Sequence, residues 1–173
     1  MKFSKLFLIV LMVATIVSCS SDDDNASPNA DLLGTWNATS ITGSSTGTTL
    51  DSGITTSFSS TWTTSNINLT STFTENPNNV ISQGTYNSTL TIMADGQTTV
   101  SDDPDATLID NTVSWTRSGN SLALLSDSGD AITYSMAITD NTLILTTTET
   151  ITEVNGTTTT TSTDIFEASY TKQ

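Results

Sequence analysis

Ile132, Tyr134, Met136 and Ile138 place four apolar side chains at a strict spacing of two. That period suits a half-buried strand and excludes an amphipathic helix, whose apolar face recurs every three to four residues. The rest of the chain past Asp31 follows the same rule. Threonine occurs 38 times in 173 residues, and β-branched side chains, stiff at χ1, favour the pleated backbone. Leu33 to Ile41 reads as a first strand, followed by Thr56 to Thr63 and Ile67 to Thr74. Gly84 to Met93 alternates around Tyr86, Leu90 and Ile92, with Asp95-Gly96 as a turn. Thr112 to Arg117, Leu122 with Leu124, Ile132 to Ile138, Leu143 to Ile151 and Thr157 to Tyr170 complete the series. Ser118-Gly119-Asn120, Asp127 to Asp130, Asp140-Asn141 and Asn155-Gly156 separate them as tight turns. Short strands joined in sequence by tight turns predict an all-β, antiparallel up-and-down meander. About eight to ten strands of this kind close into a barrel, which removes exposed edges.

The N-terminus has a different composition. Lys2 and Lys5 precede an apolar run from Leu6 to Val17, and Ser18 stands before the single cysteine, Cys19. A positive start, a short apolar run and a small residue at the cut mark a secretory signal peptide over residues 1–18. The run falls short of the roughly 18–20 apolar residues that a spanning helix needs. Residues 19–30 follow with Asp22-Asp23-Asp24 and Pro28, a polar composition that cannot bury a core and reads as a flexible tether. The folded domain is expected over residues 31–173. One cysteine permits no internal disulfide, so packing and hydrogen bonds must hold it.

Charge narrows the partners. Past residue 18 only Arg117 and Lys172 stand against 18 acidic residues, a balance of −16. Such a surface repels phosphates, which argues against nucleic acid and against anionic lipid headgroups as partners. The chain has no histidine, which removes Ser-His-Asp and Cys-His catalysis and His-ligated zinc. Glu75, Glu149, Glu153 and Glu167 fall on scattered strand positions, and nothing in their spacing places two carboxylates in one cleft. No catalytic residue, metal or cofactor is therefore expected. The segment from Ser101 to Asp110, with Asp102, Asp103, Pro104 and Asp105, matches no defined calcium loop and reads as a solvated acidic loop.

Two resemblances add to this reading. Ile16-Val17-Ser18-Cys19 is similar to a bacterial lipoprotein signal, which implies that Cys19 becomes the first mature residue and carries acyl chains. The Asp cluster behind it resembles the export signal of Bacteroidota surface lipoproteins, implying that the domain faces the cell exterior; a plain spacer is the other reading. By resemblance to Gram-negative lipoprotein sorting, Ser20 rather than Asp directly behind Cys19 implies an outer-membrane anchor. Leu33-Gly34-Thr35-Trp36 resembles the Gly-x-Trp opening of lipocalins, and the hairpins at 118–122 and 140–145 are similar to those of lipocalin-like Bacteroidota lipoproteins. The resemblance implies that Trp36 closes the base of the barrel beneath a basic residue, Lys172 or Arg117. It also implies an interior that holds a small apolar or amphipathic ligand, with Trp36, Phe73, Tyr86, Tyr134, Met136 and Phe166 as candidate lining, and Trp62 and Trp115 behind them. The alternative is a filled barrel that acts as a structural or accessory interaction protein.

Overall fold

The computed structural model describes residues 29–108, 112–125 and 131–173. The signal segment, Cys19, the Asp22–Asp24 cluster, Asp110 and the Asp127–Asp130 turn lie outside them. Among the described residues nine strands make one antiparallel sheet: β1 (Gly34–Asp51), β2 (Ile54–Thr74), β3 (Asn79–Ala94), β4 (Gln97–Ala106), β5 (Val113–Ser118), β6 (Ser121–Leu125), β7 (Ala131–Ile138), β8 (Thr142–Asn155) and β9 (Thr158–Lys172). Their order is β2-β1-β9-β8-β7-β6-β5-β3-β4, and a further β2–β3 pairing turns the sheet into a ring.

The expected meander holds with one exception. β4 and β5 do not pair; both run antiparallel to β3, β4 against Tyr86 to Ala94 and β5 against Asn79 and Val80. They act as one strand position broken between Ala106 and Val113. β6 and β7 are short, and β7 leaves β8 above Ser135↔Thr146. The lower part of the molecule is thus a ring. Its upper part is an open sheet of β8, β9, β1, β2, β3 and β4 that ends in hairpin tips.

Three local expectations need correction. The first strand does not stop at Ile41 but runs to Asp51, where Ser52 (φ 50°) and Gly53 (φ 84°) make a two-residue turn. Two positive φ values in succession match the twist of a hairpin, and the Asp-Ser-Gly sequence is its signal. The two strands expected over 56–74 are one, β2, with a bulge where the register slips between Ser65 and Asn68. Asn66 takes φ 50° there, a conformation asparagine tolerates. The acidic loop is a strand as far as Ala106. β4 is an edge strand, and an edge tolerates both the missing N–H of Pro104 and a row of carboxylates.

The core follows from alternation. Leu32, Trp36, Ile41, Leu69, Phe73, Val80, Tyr86, Trp115, Leu122, Met136, Leu143 and Tyr170 are buried. Threonine occupies the other face: Thr46, Thr48, Thr150, Thr152 and Thr161 are exposed on the upper sheet. Cross-strand hydroxyl pairs form at Thr150–Thr163 (3.4 Å) and Thr152–Thr161 (3.3 Å). The bulge is crowded. Gly84 sits at φ 106°, and a Cβ there would overlap the Asn68 carbonyl, whereas Gly96 (φ 73°) has open space around its missing Cβ. Gly84→Ala combines left-handed strain with overpacking and should cost about 3 kcal/mol or more. Gly96→Ala carries strain alone, about 1–2 kcal/mol. Urea midpoints of the two variants measure the difference.

Candidate functional site

The lower end of the ring is solid. Trp36 is fully buried, its Nε1 donating to the Leu32 carbonyl at 2.8 Å, and Lys172 Nζ stands 5.1 Å over its ring. The two residues face each other across β1 and β9, and Lys172 also donates to the Asp31 carbonyl at 3.0 Å. Of the two basic residues the lipocalin resemblance offers, Lys172 therefore takes the place above Trp36. Arg117 grips the Asp31 carboxylate with both terminal nitrogens, Nη2 at 3.0 Å, and holds that carboxyl below its usual range. Trp115 fills the opposite wall, edge-on to Phe73 with centroids 6.3 Å apart. Met136 is buried with them.

Above this plug lies an apolar cavity of about 210 Å³ lined by Ser71, Phe73, Val80, Leu108, Val113, Leu124, Ile132, Tyr134, Leu145, Phe166 and Tyr170. It lies behind the broken strand, since Leu108 and Val113 flank the gap between β4 and β5. Of the six interior candidates, Phe73, Tyr134 and Phe166 line it. Trp36 and Met136 do not; they pack into the core. Tyr86 belongs to the roof. Rings from four strands meet there: Trp62 with Tyr86 (5.9 Å, 69°), Trp62 with Phe166 (6.1 Å, 23°) and Phe166 with Tyr134 (5.9 Å, 63°). Gly43 makes the roof possible, because Trp62 and Phe166 flank it on the neighbouring strands and a Cβ there would press the indole at 3.3 Å.

Leu108, Leu124, Ile132, Leu145 and Tyr170 line the cavity without being among the sequence candidates. The period-two pattern of β6, β7 and β9 carries the signal for Leu124, Ile132 and Tyr170, while Leu108 fell in a segment read as loop. Ile132 is 50% exposed and marks the rim. Glu149 on β8 lies directly opposite Asp164 on β9, on the face that carries Phe166. Among the described residues no group of three acidic or cysteine side chains is close enough to hold a metal ion.

All three tyrosines of the chain face this interior. Burial pushes the Tyr170 phenol up to about 12, nearby Tyr134 and Tyr86 add to the rise, and its hydrogen bond to Ser71 offsets part of it. Burial raises Tyr134, and burial with the Asp103 charge raises Tyr86. A phenol whose folded pKa lies above its unfolded value near 10 stabilises the fold fully below that value. Stability should therefore fall as pH rises from about 10 towards 12. The tyrosinate absorbance of the folded protein should lag behind that of the urea-unfolded chain over the same range. Scans of family models, curated proteins and solved structures find no match to this chain.

Proposed function

We propose that this protein is an outer-membrane lipoprotein, facing the cell exterior, whose lipocalin-like barrel binds a small apolar or amphipathic molecule without covalent chemistry. The observation that carries the binding half is the apolar cavity beneath the aromatic roof. An engineered void of about 150 Å³ in another protein already takes a benzene-sized guest, so 210 Å³ admits a ring or a short alkyl segment. Lining of this kind, with Ser71, Tyr134 and Tyr170 as the few polar points, suits a guest held by area and oriented by one or two hydrogen bonds.

The anchor half rests on the order Lys2, Lys5, Leu6–Val17, Ser18, Cys19. Two acyl signals suffice for stable attachment, at about 0.8 kcal/mol per buried methylene. Asn29 lies ten residues beyond Cys19 and adjoins the ring's closed lower end, so a tether of roughly 35 Å at full stretch would attach at that end. The stack of Lys172 over Trp36 supports the lipocalin-like reading. The absence of histidine supports a non-catalytic one. The cavity is smaller than the roughly 300 Å³ at which most small-molecule sites begin, and this favours the second reading, a filled barrel acting as an accessory protein.

Octanol distinguishes the two. Eight buried carbons at about 0.8 kcal/mol each give about 6 kcal/mol, a dissociation constant of tens of micromolar. Titration of a Cys19→Ser chain followed by tryptophan fluorescence should saturate in that range. Leu124→Trp, which fills the mouth, should weaken binding at least tenfold while the circular-dichroism spectrum is unchanged. No saturable binding by the parent favours the filled barrel. For the anchor, labelled palmitate should enter the wild-type protein and not Cys19→Ala; label in the variant refutes it.

A further inference from the structure

We propose that the free edge of β8 above Thr146 docks an extended segment of another protein, which joins the sheet as an added strand and sets basic side chains against Glu149 and Glu153. β8 pairs with β7 only from Leu143 to Thr146, whereas its ladder with β9 runs unbroken from Thr142↔Thr171 to Asn155↔Thr158. Past Thr146 one side of the strand has no partner among the described residues, and every residue from Thr148 to Asn155 is exposed. The Thr139 N–H donates to the Thr142 carbonyl, so the hydrogen-bonding groups of Thr142, Ile144 and Thr146 face β7. Alternation along the strand turns those of Thr148, Thr150, Thr152 and Val154 to the same side. A row of backbone N–H and C=O groups about 20 Å long therefore points away from β9.

Such a row is the template on which an extended peptide adds to a sheet. The sheet's other border is spoiled for this use. β4 carries Pro104, which has no N–H, Asp105 at φ 60° and a register slip opposite Tyr86 and Ser88, all features that blunt an edge. β8 past Thr146 has no proline, no positive φ and no bulge. Its side chains choose the occupant. Glu149, Ile151 and Glu153 lie on the face of Phe166, with Thr148, Thr150, Thr152 and Val154 on the other. Ile151 is 37% exposed and Val154 71%, apolar surface that an added strand would cover on both faces. Opposite charges directly across a strand pair attract and like charges repel, so a basic–apolar–basic alternation fits Glu149, Ile151 and Glu153, and an acidic one is refused. A second copy is refused too: two β8 edges meeting antiparallel about Ile151 would oppose Glu149 and Glu153 across the join. The domain's own two cations are engaged, Arg117 with Asp31 and Lys172 over Trp36, so the basic groups come from the partner.

The probe is the peptide Thr-Lys-Thr-Ile-Thr-Lys-Thr, acetylated and amidated, titrated at neutral pH into the isotope-labelled Cys19→Ser chain and followed by NMR. Saturable shifts and slowed hydrogen exchange at the amides of Thr148, Thr150 and Thr152, with the β4 amides unchanged, are the expected result. The same peptide with glutamate in place of lysine should bind at least tenfold more weakly. Glu149→Gln together with Glu153→Gln should bring the two peptides to within about threefold. Thr150→Pro removes an N–H that faces the open side, a change an edge strand accepts, and should weaken binding at least tenfold. N-methylation of the peptide's two inner threonines should abolish binding to the unaltered domain, which decides the matter if Thr150→Pro does not fold. No saturable shift at millimolar peptide, shifts away from β8, binding that survives N-methylation, or equal binding of the acidic peptide overturns the proposal. A chain that dimerises through β8 by itself, seen by sedimentation and by the same amides, also overturns it and gives the edge to a second copy.

Discussion

The ring is held shut by Trp115. β3 and β5 pair at only two positions, Asn79↔Ser114 and Val80↔Val113, fewer than at any other junction of the sheet. The indole makes up for this: its Nε1 is shared between the carbonyls of Thr74 and Asn79, each at 3.1 Å, and its backbone N–H reaches Asn78 at the same distance. One residue thus ties β5 to the turn between β2 and β3 while its ring fills the core against Phe73. A buried carbonyl that lost this donor would be stranded away from water, so closure and packing fail together. The cavity adjoins the same seam: β4 ends at Ala106 and β5 begins at Val113, and Leu108 and Val113 line it on this side.

Glycine and aromatic residues divide the interior between them. Gly43 lies opposite Trp62, and Gly47 lies opposite Phe58 with the phenyl ring in the space its Cβ would need. A glycine in a strand weakens it, and a large ring laid across from the neighbouring strand recovers the lost contact. In β1 this exchange carries the aromatic roof from β3 across to β7 without a bulky residue on the intervening strand. The lower end is built oppositely, with full-sized buried side chains at Leu32, Trp36, Trp115 and Leu143.

Much of this was legible in the sequence because the signal was local. Alternation at Ile132, Tyr134, Met136 and Ile138 marks β7 and its inward face, and Asp95-Gly96 forms the two-residue turn its composition demands, with φ of 51° and 73°. Long-range facts were not legible. Asn155-Gly156 has the composition of a two-residue turn, whereas Asn155 still pairs with Thr158 and the loop is Gly156 and Thr157. Whether an acidic, proline-bearing segment is a loop or an edge strand depends on an available neighbour, and β3 supplies one for Gln97 to Ala106. The opposition of Glu149 and Asp164 depends on a register set by the whole β8–β9 hairpin. The buried place of Trp36 fitted the expected pattern, while the choice between Lys172 and Arg117 above it required the pairing of β1 with β9.

The upper sheet ends on two strands with a free side. β4 carries Asp102, Asp103 and Asp105, and β8 above Thr146 carries Glu149 and Glu153. Were many copies crowded on one surface, any meeting of these borders would bring carboxylates against carboxylates, so lateral zipping into fibres is opposed at the start. At physiological ionic strength that repulsion reaches only about 8 Å, enough to stop backbone docking yet too short to keep neighbours far apart. A dense coat of such molecules would stay fluid, each domain separately hydrated.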